Sequence, residues 1–369
     1  MKLILHPGHG KCGSSSIQNF LYGNINKLEE KGAYLPDKDF YFSFEKNNIL
    51  QNRKTPVLYF KKLIDDDNII AFERRLGEVL VKARETNCRK ILISAENLGN
   101  MRGISEGRKI HEILASYFEQ VTVIFYLRRQ DDYLVSSWQQ WEHKKGLSLN
   151  EYIEESLDLY RPDFLKIIRF FEEIYDKNSL IVVPLSKKKF KNNNLIADFC
   201  ERTQLDIINN YPQIQSNQSL NPYLCDVLRR TPSIYQDVHD LSIKKLLTKY
   251  IDSTDFIFYN DKTILDQQER IKILKRFEND NKIIHHQYFN DLPYDDFVGL
   301  PLPKNNTSDH LEDDMERLKN IVAIQMEIII KLLKDRDKEQ IQKKQNSNLR
   351  RKLTQNVKKI TRKVIEKFT

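Results

Sequence analysis

Apolar and polar positions along the chain alternate between two kinds of segment. Apolar runs of about four to eight residues predict buried strands, and longer runs with an apolar residue at every third or fourth position predict amphipathic helices. The predicted strands cover residues 2–6, 90–94, 121–127 and 179–184. The predicted helices begin near Ser15 and cover about 107–118, 131–145, 162–176 and 194–203. This alternation predicts an α/β fold, with one parallel sheet flanked by helices on both faces.

Two internal segments, at about 40–67 and 209–219, follow neither pattern and are predicted to be loops or insertions. Gly32 lies where the first helix should end, in the position of a C-terminal cap. After Pro303 the composition becomes charged, glycine-free and helical. We therefore divide the chain into a domain at 1–303, a helical extension at 304–342 and a tail at 343–369.

The formal net charge of +8 is concentrated in the tail. Residues 343–369 hold ten Lys and Arg and one acidic residue, which gives +9 and leaves −1 for the rest of the chain. A nearly neutral body argues against a protein whose body binds nucleic acid through a basic surface. The charge of the tail is therefore a separate feature.

The four cysteines are scattered and form no C-x-x-C pair, so they predict neither a disulfide framework nor a zinc site. The apolar run at the N-terminus is only a few residues long and does not resemble a signal peptide. No later apolar run approaches the length of a membrane span. We expect a reducing, cytoplasmic environment.

A loop rich in glycine and serine, HPGHGKCGSSS at residues 6–16, connects the first strand to the first helix. Glycines let the backbone N–H groups point inward, serine hydroxyls add donors, and a helix N-terminus contributes partial positive charge. The loop is predicted to bind a phosphate-like anion; the alternative is a turn that only caps the helix. Lys11 precedes Gly13, whereas the lysine of nucleotide hydrolases follows the second glycine in G-x-x-x-x-G-K-[ST].

Two arginines, Arg128 and Arg129, end the third predicted strand. Ligands of open α/β sheets bind at the carboxyl ends of strands, and guanidinium groups bind phosphate through forked hydrogen bonds. Each arginine has a serine eight residues later, Ser136 or Ser137, two turns into the next helix. We prefer Arg128 with Ser136. The alternative is a solvated turn in which the arginines pair with the acidic residues that follow them.

These motifs resemble those of sulfotransferases that use 3′-phosphoadenosine 5′-phosphosulfate (PAPS). The segment H-x-G-x-x-K-x-G-S-S-S-I-Q at residues 6–18 is similar to the phosphosulfate loop of bacterial members, which reads close to H-x-G-x-x-K-T-G-T-[ST]-S-[IL]-Q. Arg128 and Ser136 resemble the family's 3′-phosphate motif. The resemblance covers about residues 1–300 and is fainter at 217–220 and 281–297. It implies a P-loop-like fold and sulfuryl transfer from PAPS to a hydroxyl, without a metal.

The resemblance also implies roles for the loop residues. Lys11 would contact the oxygen that bridges phosphorus and sulfur, where charge develops on the leaving phosphate. Cys12 replaces the usual threonine, so one hydroxyl donor is absent. The implied PAPS-binding residues are Gly10, Lys11, Cys12, Gly13, Ser14, Ser15 and Ser16 in the loop, and Arg128 and Ser136 in the second motif.

Transfer to an alcohol requires a group that removes the hydroxyl proton. Glu96 follows the second predicted strand, which resembles the strand that ends in the catalytic base of this family, so we expect Glu96 to be the base. His6 and His9 are the rival bases, and Glu96 could instead be a strand-end carboxylate paired with Arg128 or Lys11.

The expected acceptor is a glycan, since Trp and Gln residues at 138–141 suit the faces and hydroxyls of sugars. The same residues could equally be the core and surface of an ordinary helix. Two alternative functions are a P-loop kinase using ATP and an inactive binding module of the same fold. The lysine position argues against the kinase, and the joint presence of Lys11, Arg128, Ser136 and Glu96 argues against the inactive module.

The tail predicts a helix with one apolar face and a basic remainder, which is typical of a segment that lies on an anionic membrane. The apolar positions are Leu349, Leu353, Val357, Ile360, Val364 and Phe368. The alternative is a homodimer formed through a short coiled coil upstream. Its seam would consist of Leu311, Met315, Leu318, Val322, Ile329 and Leu332.

Overall fold

The computed structural model describes residues 1–41, 55–205, 219–251, 258, 261–300 and 302, together with helical positions between 315 and 336. Within these residues the strands form one sheet in the order β2-β3-β1-β4-β5, and every neighbouring pair is parallel. The strands are β1 (Lys2–His6), β2 (Ala33–Tyr34), β3 (Lys90–Ser94), β4 (Gln120–Leu127) and β5 (Leu180–Pro184). The α/β prediction is therefore confirmed.

Helices connect the strands and continue after the last one. They are α1 (Ser14–Gly23), α2 (Ile25–Glu30), α3 (Val57–Asp66), α4 (Ile69–Glu85), α5 (Met101–Ser105), α6 (Arg108–Tyr117), α7 (Gln130–Gln140), α8 (Leu149–Asp158), α9 (Phe164–Tyr175), α10 (Leu195–Arg202), α11 (Pro222–Leu228), α12 (Ser242–Tyr250), α13 (Gln267–Arg276), α14 (Glu278–Tyr288) and α15 (Tyr294–Val298). None of the described helices is long and apolar enough to cross a bilayer.

Both faces of the sheet are buried because successive strand side chains point to opposite sides. Leu3 and Leu5 of β1 belong to a large apolar cluster with α3, α4, α6 and α9. Ile4, between them, belongs to a second cluster with α1 and α10. Helices on both faces explain why the strands are almost wholly apolar.

A third apolar cluster joins α7 and α8 to the later helices α11, α12 and α13. Ile321 and Ile324, from the helical extension, are buried in this cluster. Met315, Leu318, Val322, Ile329 and Leu332 of the predicted seam are exposed. Leu311 and the whole tail lie outside the described residues, so the dimer and membrane hypotheses stay predictions.

Three sequence predictions need correction. The first predicted helix is two helices, because Asn24 has a non-helical backbone between α1 and α2. The segment at about 40–67 was predicted to be a loop, but it contains α3. The apolar face of α3 packs on the sheet through Phe60 and Leu63. The helix predicted at 131–145 ends at Gln140 and continues as a 3₁₀ turn at Glu142–Lys145.

Gly32 ends the second helix as predicted. Its φ of 73° lies in the left-handed region, and its N–H donates to the carbonyl of Glu29 at 2.8 Å. A glycine adopts this conformation without the steric cost that a side chain would add. The turn then leads directly into β2. This strand has only two residues, which is too short to give a recognisable apolar pattern.

Candidate active site

The predicted site residues meet at the carboxyl edge of the sheet, above its central strand. The loop follows β1, Glu96 follows β3, and Arg128 follows β4. Helix α1, after β1, packs on one face, whereas α6, after β3, and α9, before β5, pack on the other face. Such a change of face opens a crevice at the strand ends, which is where ligands of open α/β sheets bind.

The backbone of the loop is tightly folded. Gly8, Lys11 and Gly13 all have positive φ, of 60°, 67° and 85°. A Cβ at Gly8 would lie 2.9 Å from the Ser14 hydroxyl oxygen and 3.2 Å from Cγ of Glu96, so glycine is what allows the carboxylate to approach. Lys11 is not a glycine, and its conformation costs about 1–2 kcal/mol.

The N-terminus of α1 opens toward the crevice without a protein cap. Gly13 is the N-cap residue and has no side chain to cap the helix, and the first turn contains no acidic residue. The first-turn N–H groups of an α-helix have no partner within the helix. Together with the hydroxyl-bearing Ser14, Ser15 and Ser16, this end of the helix is suited to an anion.

Lys11 reaches across the crevice to α7. Its Nζ donates a hydrogen bond to Oε1 of Gln140 at 2.6 Å. Burial, and then the positive charges of Arg128 and Lys244, lower the pKa of Lys11 to about 8. The lysine is thus half-buried and has an amide, rather than a carboxylate, as its hydrogen-bond partner.

Glu96 is half-buried beside the loop and forms a side-chain hydrogen bond with Ser14. Burial raises the pKa of Glu96, while the Lys11 charge and the Ser14 hydrogen bond act in the opposite direction. Among the described residues Glu96 forms no salt bridge, so the paired-carboxylate alternative lacks its partner. A carboxylate with a raised pKa is a better proton acceptor.

The rival bases His6 and His9 are both buried, and neither lines the cavities at this edge. His6 Nδ1 is 2.8 Å from the Ser94 hydroxyl oxygen, and burial lowers the pKa of His6 to about 3. His9 packs edge-on against two aromatic rings, and burial lowers the pKa of His9 to about 4. The geometry therefore favours Glu96.

The two arginines after β4 have different surroundings. Arg129 forms a forked pair with Asp131, at 2.6 and 2.9 Å, and also donates to the carbonyl of Gly299 at 3.1 Å. Arg128 has no carboxylate partner among the described residues, and donates only to the carbonyl of Lys11, at 3.2 Å. Arg129 therefore forms the pair with an acidic residue that the alternative expected, but the pair is buried rather than solvated, and Arg128 forms no such pair.

The two serines differ in the same way. Ser136 is buried and lines a cavity together with Arg128. Ser137 accepts a hydrogen bond from the Tyr152 hydroxyl at 3.0 Å and does not line that cavity. The structure thus brings together the preferred pair.

The junction between β4 and α7 is held by side chains from distant helices. The guanidinium of Arg270, which is buried, contacts Asp131 and Asp132, the latter at 3.1 Å. The amides of Gln130 and Asn281, also buried, exchange hydrogen bonds of 2.7 and 3.3 Å. Arg270 was not identified from sequence, because a lone arginine on a charged helix gives no local signal of burial.

Two cavities meet at the loop that follows β1. They share the lining residues Lys11, Gly13, Ser16 and Arg128. The first, of about 1020 Å³, extends over β5 and contains the basic residues Arg129, Lys188, Lys189 and Lys262. The second, of about 610 Å³, contains Ser14, Ser15, Ser136 and Glu96 and extends toward α12. Gly10 lies against Trp141 at the edge of the second cavity, and Cys12 is buried beneath the loop.

The Trp and Gln residues after Ser136 divide between core and cavity. Trp138 is buried and donates its indole N–H to the carbonyl of Leu147 at 2.8 Å. Gln140 and Trp141 line the second cavity together with Tyr235, which sequence reasoning missed. Trp138 is therefore an ordinary core residue, and a contact of Gln140 and Trp141 with a sugar stays a prediction.

The two fainter segments also contribute to the site. Ser219 and Leu220 line the second cavity, while positions 217 and 218 lie outside the described residues. Asn281 supports the β4–α7 junction, and Phe297 lines the first cavity.

Comparison of the chain with models of protein families, with curated proteins and with solved structures finds no match. Within the part of the chain that the structure describes, no group of three or more His, Cys, Asp or Glu is arranged to hold a metal ion.

Proposed function

We propose that this protein is a sulfotransferase that moves the sulfuryl group of PAPS to a hydroxyl of a glycan. The observation that carries the proposal is the convergence of Lys11, Glu96, Arg128 and Ser136 around one uncapped helix N-terminus. The four residues come from different parts of the chain: the loop after β1, the end of β3, the end of β4 and helix α7. The side chain of each suits one step of the reaction, which is nucleotide binding, proton removal or stabilisation of the leaving group.

The two cavities suit two substrates that meet at the loop. The nucleotide would occupy the first cavity, which has several cations, and its phosphates would reach Ser14, Ser15 and Ser136, which line the second cavity. Guanidinium and ammonium groups bind phosphate strongly. The second cavity has a carboxylate base and the ring of Trp141, which suits the apolar face of a sugar. The loop and Arg128 lie between the two, where the group would be transferred.

In the proposed reaction the acceptor oxygen attacks sulfur, and the bond between sulfur and the bridging oxygen breaks. The electron pair of that bond stays on the 5′-phosphate, so 3′-phosphoadenosine 5′-phosphate (PAP) is the product. The acceptor proton passes to Glu96, whose raised pKa suits this role. Lys11 stabilises the charge on the leaving oxygen, and its contact strengthens as that charge develops.

The first experiment measures nucleotide preference by calorimetry. PAP should bind more tightly than ATP with Mg²⁺ and should raise the melting temperature, because a ligand that binds only the folded state stabilises it. Tighter binding of ATP with Mg²⁺ would show that the kinase alternative is correct. This measurement requires no knowledge of the acceptor.

The second experiment follows labelled sulfate from PAPS to a panel of glycans with the Glu96→Gln variant. This change keeps the shape of the side chain and removes the base, so transfer should fall by about 10²–10⁴-fold while PAP affinity stays unchanged. The exposed Glu112, which pairs with Arg108 on α6, provides the matched control Glu112→Gln. An active Glu96→Gln enzyme would exclude Glu96 as the base.

A further inference from the structure

Acidic and basic side chains face the second cavity from several elements. Those of the described residues are Lys11, Glu96, Arg128, His143, Lys144, Asp240 and Lys244. Most of these side chains interact with another group of the protein. A charged side chain that has no such partner indicates what kind of acceptor the cavity fits.

His143 is neutral in this setting. Its Nδ1 lies 3.0 Å from the carbonyl of Trp138, to which it donates, and burial lowers the pKa of His143 to about 4. It therefore adds no positive charge to the cavity near neutral pH.

Lys144 and Asp240 offset each other. Lys144 donates two hydrogen bonds of 2.8 Å, to the carbonyls of Val238 and Asp240. The Asp240 carboxylate accepts N–H groups from Gln236 and Ser242, at 2.9 and 2.7 Å, and these bonds lower the pKa of Asp240 to about 2. This pair forms a fixed, neutral edge of the cavity.

Lys11 and Glu96 form no salt bridge, but their opposite charges attract each other and add up to zero. Arg128 borders both cavities, where the nucleotide is proposed to bind. That leaves Lys244.

Lys244 extends from α12 into the second cavity and is half-buried. Within the described residues its side chain forms no hydrogen bond and no salt bridge, and no residue of α12 lines the first cavity. Burial lowers the pKa of Lys244, so the ammonium group is already partly removed from water without a counter-ion. A cation in this setting gains most from an anionic ligand.

We propose that Lys244 binds an acidic group of the acceptor, so that the second cavity takes a glycan carrying carboxylates rather than a neutral one. This inference rests on the proposed function. The neighbouring Trp141 and Tyr235 supply the ring surfaces for the sugar, and Glu96 lines the same cavity. An acidic group of the acceptor would be attracted by Lys244 and repelled by Glu96, so the neutral hydroxyl rather than the acidic group would face the base.

The test measures binding to the full chain saturated with PAP, by calorimetry at low salt. The probes are a hexasaccharide of alternating glucuronate and N-acetylglucosamine and the same hexasaccharide with its carboxyl groups reduced to alcohols. The unmodified protein should bind the acidic probe about tenfold more tightly, which is the expected size of one charge-assisted contact. Added salt should reduce this preference.

Lys244→Gln should abolish the preference and leave the affinity for the reduced probe unchanged. The matched control is Lys245→Gln, because Lys245 is exposed on the same helix and does not line the cavity; it should keep the preference. PAP affinity, measured first for each variant, shows that the nucleotide site is folded.

Three results would overturn the inference. One is equal binding of both probes, or of neither, by an unmodified protein that binds PAP. Another is a Lys244→Gln variant that keeps the preference. The third is an equal loss for acidic and reduced probes, which would assign Lys244 to contacts that do not involve the carboxylates, such as packing. Failure to bind PAP would instead count against the proposed function.

Discussion

The phosphate loop and the β4–α7 junction both face the crevice, but they are built differently. The loop occupies residues 8–16, and its shape depends on backbone angles and on one helix N-terminus. The junction depends on side chains 139 and 151 positions later in the chain, from Arg270 and Asn281. The conformation of the loop depends mainly on its own residues. The conformation of the junction depends also on the correct folding of the later helices that carry Arg270 and Asn281.

The largest expected effect comes from removing the ion network that holds the junction. Arg270→Met leaves the carboxylate of Asp131 buried without its inner partner, which should lower the free energy of unfolding by about 3–5 kcal/mol. Urea unfolding monitored by circular dichroism measures the change. PAP affinity should also fall, because Asp131 and Asp132 position the turn that carries Arg128.

Lys272→Met is the control on the same helix. Lys272 pairs with Glu154, and both side chains are more than half exposed, so the change should cost about 0–1 kcal/mol. Equal destabilisation by the two variants would mean that the buried network has no special role in holding the junction.

The next effect concerns the loop. Lys11→Met should reduce turnover by about 10²–10³-fold, which is the range for removing one group that stabilises a developing negative charge. The free energy of unfolding should change little, since Lys11 is bonded only to Gln140 through its side chain. Steady-state kinetics and urea unfolding on the same samples separate the two effects. A stability loss as large as that of Arg270→Met would contradict the distinction between the two motifs.

The pH dependence of PAP affinity tests the same lysine. A lysine loses its charge as the pH rises through its pKa, and the pKa of Lys11 in the free protein is lowered to about 8. Affinity should therefore decline above about pH 8 in the unmodified protein. Titration of the Lys11→Met variant over the same range should lack this decline.

The smallest effects distinguish the two arginine and serine registers. Arg128→Ala should weaken PAP binding by about ten- to a hundredfold with a smaller effect on turnover, because charged hydrogen bonds are each worth about 1.5–3 kcal/mol. Ser136→Ala should weaken it by about fivefold, equivalent to one neutral hydrogen bond. Ser137→Ala removes hydrogen bonds with Tyr152 and Tyr133 and should leave PAP affinity unchanged. The reverse order of the two serine variants would assign the motif to Arg129.

The element order and most of the site were predictable because their signals are local. Alternating apolar runs indicate the parallel sheet, since each strand and helix must bury its own apolar face. Gly8 and Gly13 have positive φ angles, which glycine adopts more easily than other residues, so the glycines themselves signal the turn. The placement of Glu96 and Arg128 at one edge follows from their positions after parallel strands.

Other features depended on contacts between residues far apart in the chain. The choice between Arg128 and Arg129 required knowing that Asp131 is buried and already occupied by Arg129 and Arg270. The importance of Lys244 required knowing that it has no partner within the described residues and that α12 borders the loop. Spacing along a chain specifies which side chains a strand or helix presents, but burial and partnership are set by neighbours in space, which only the folded chain brings together.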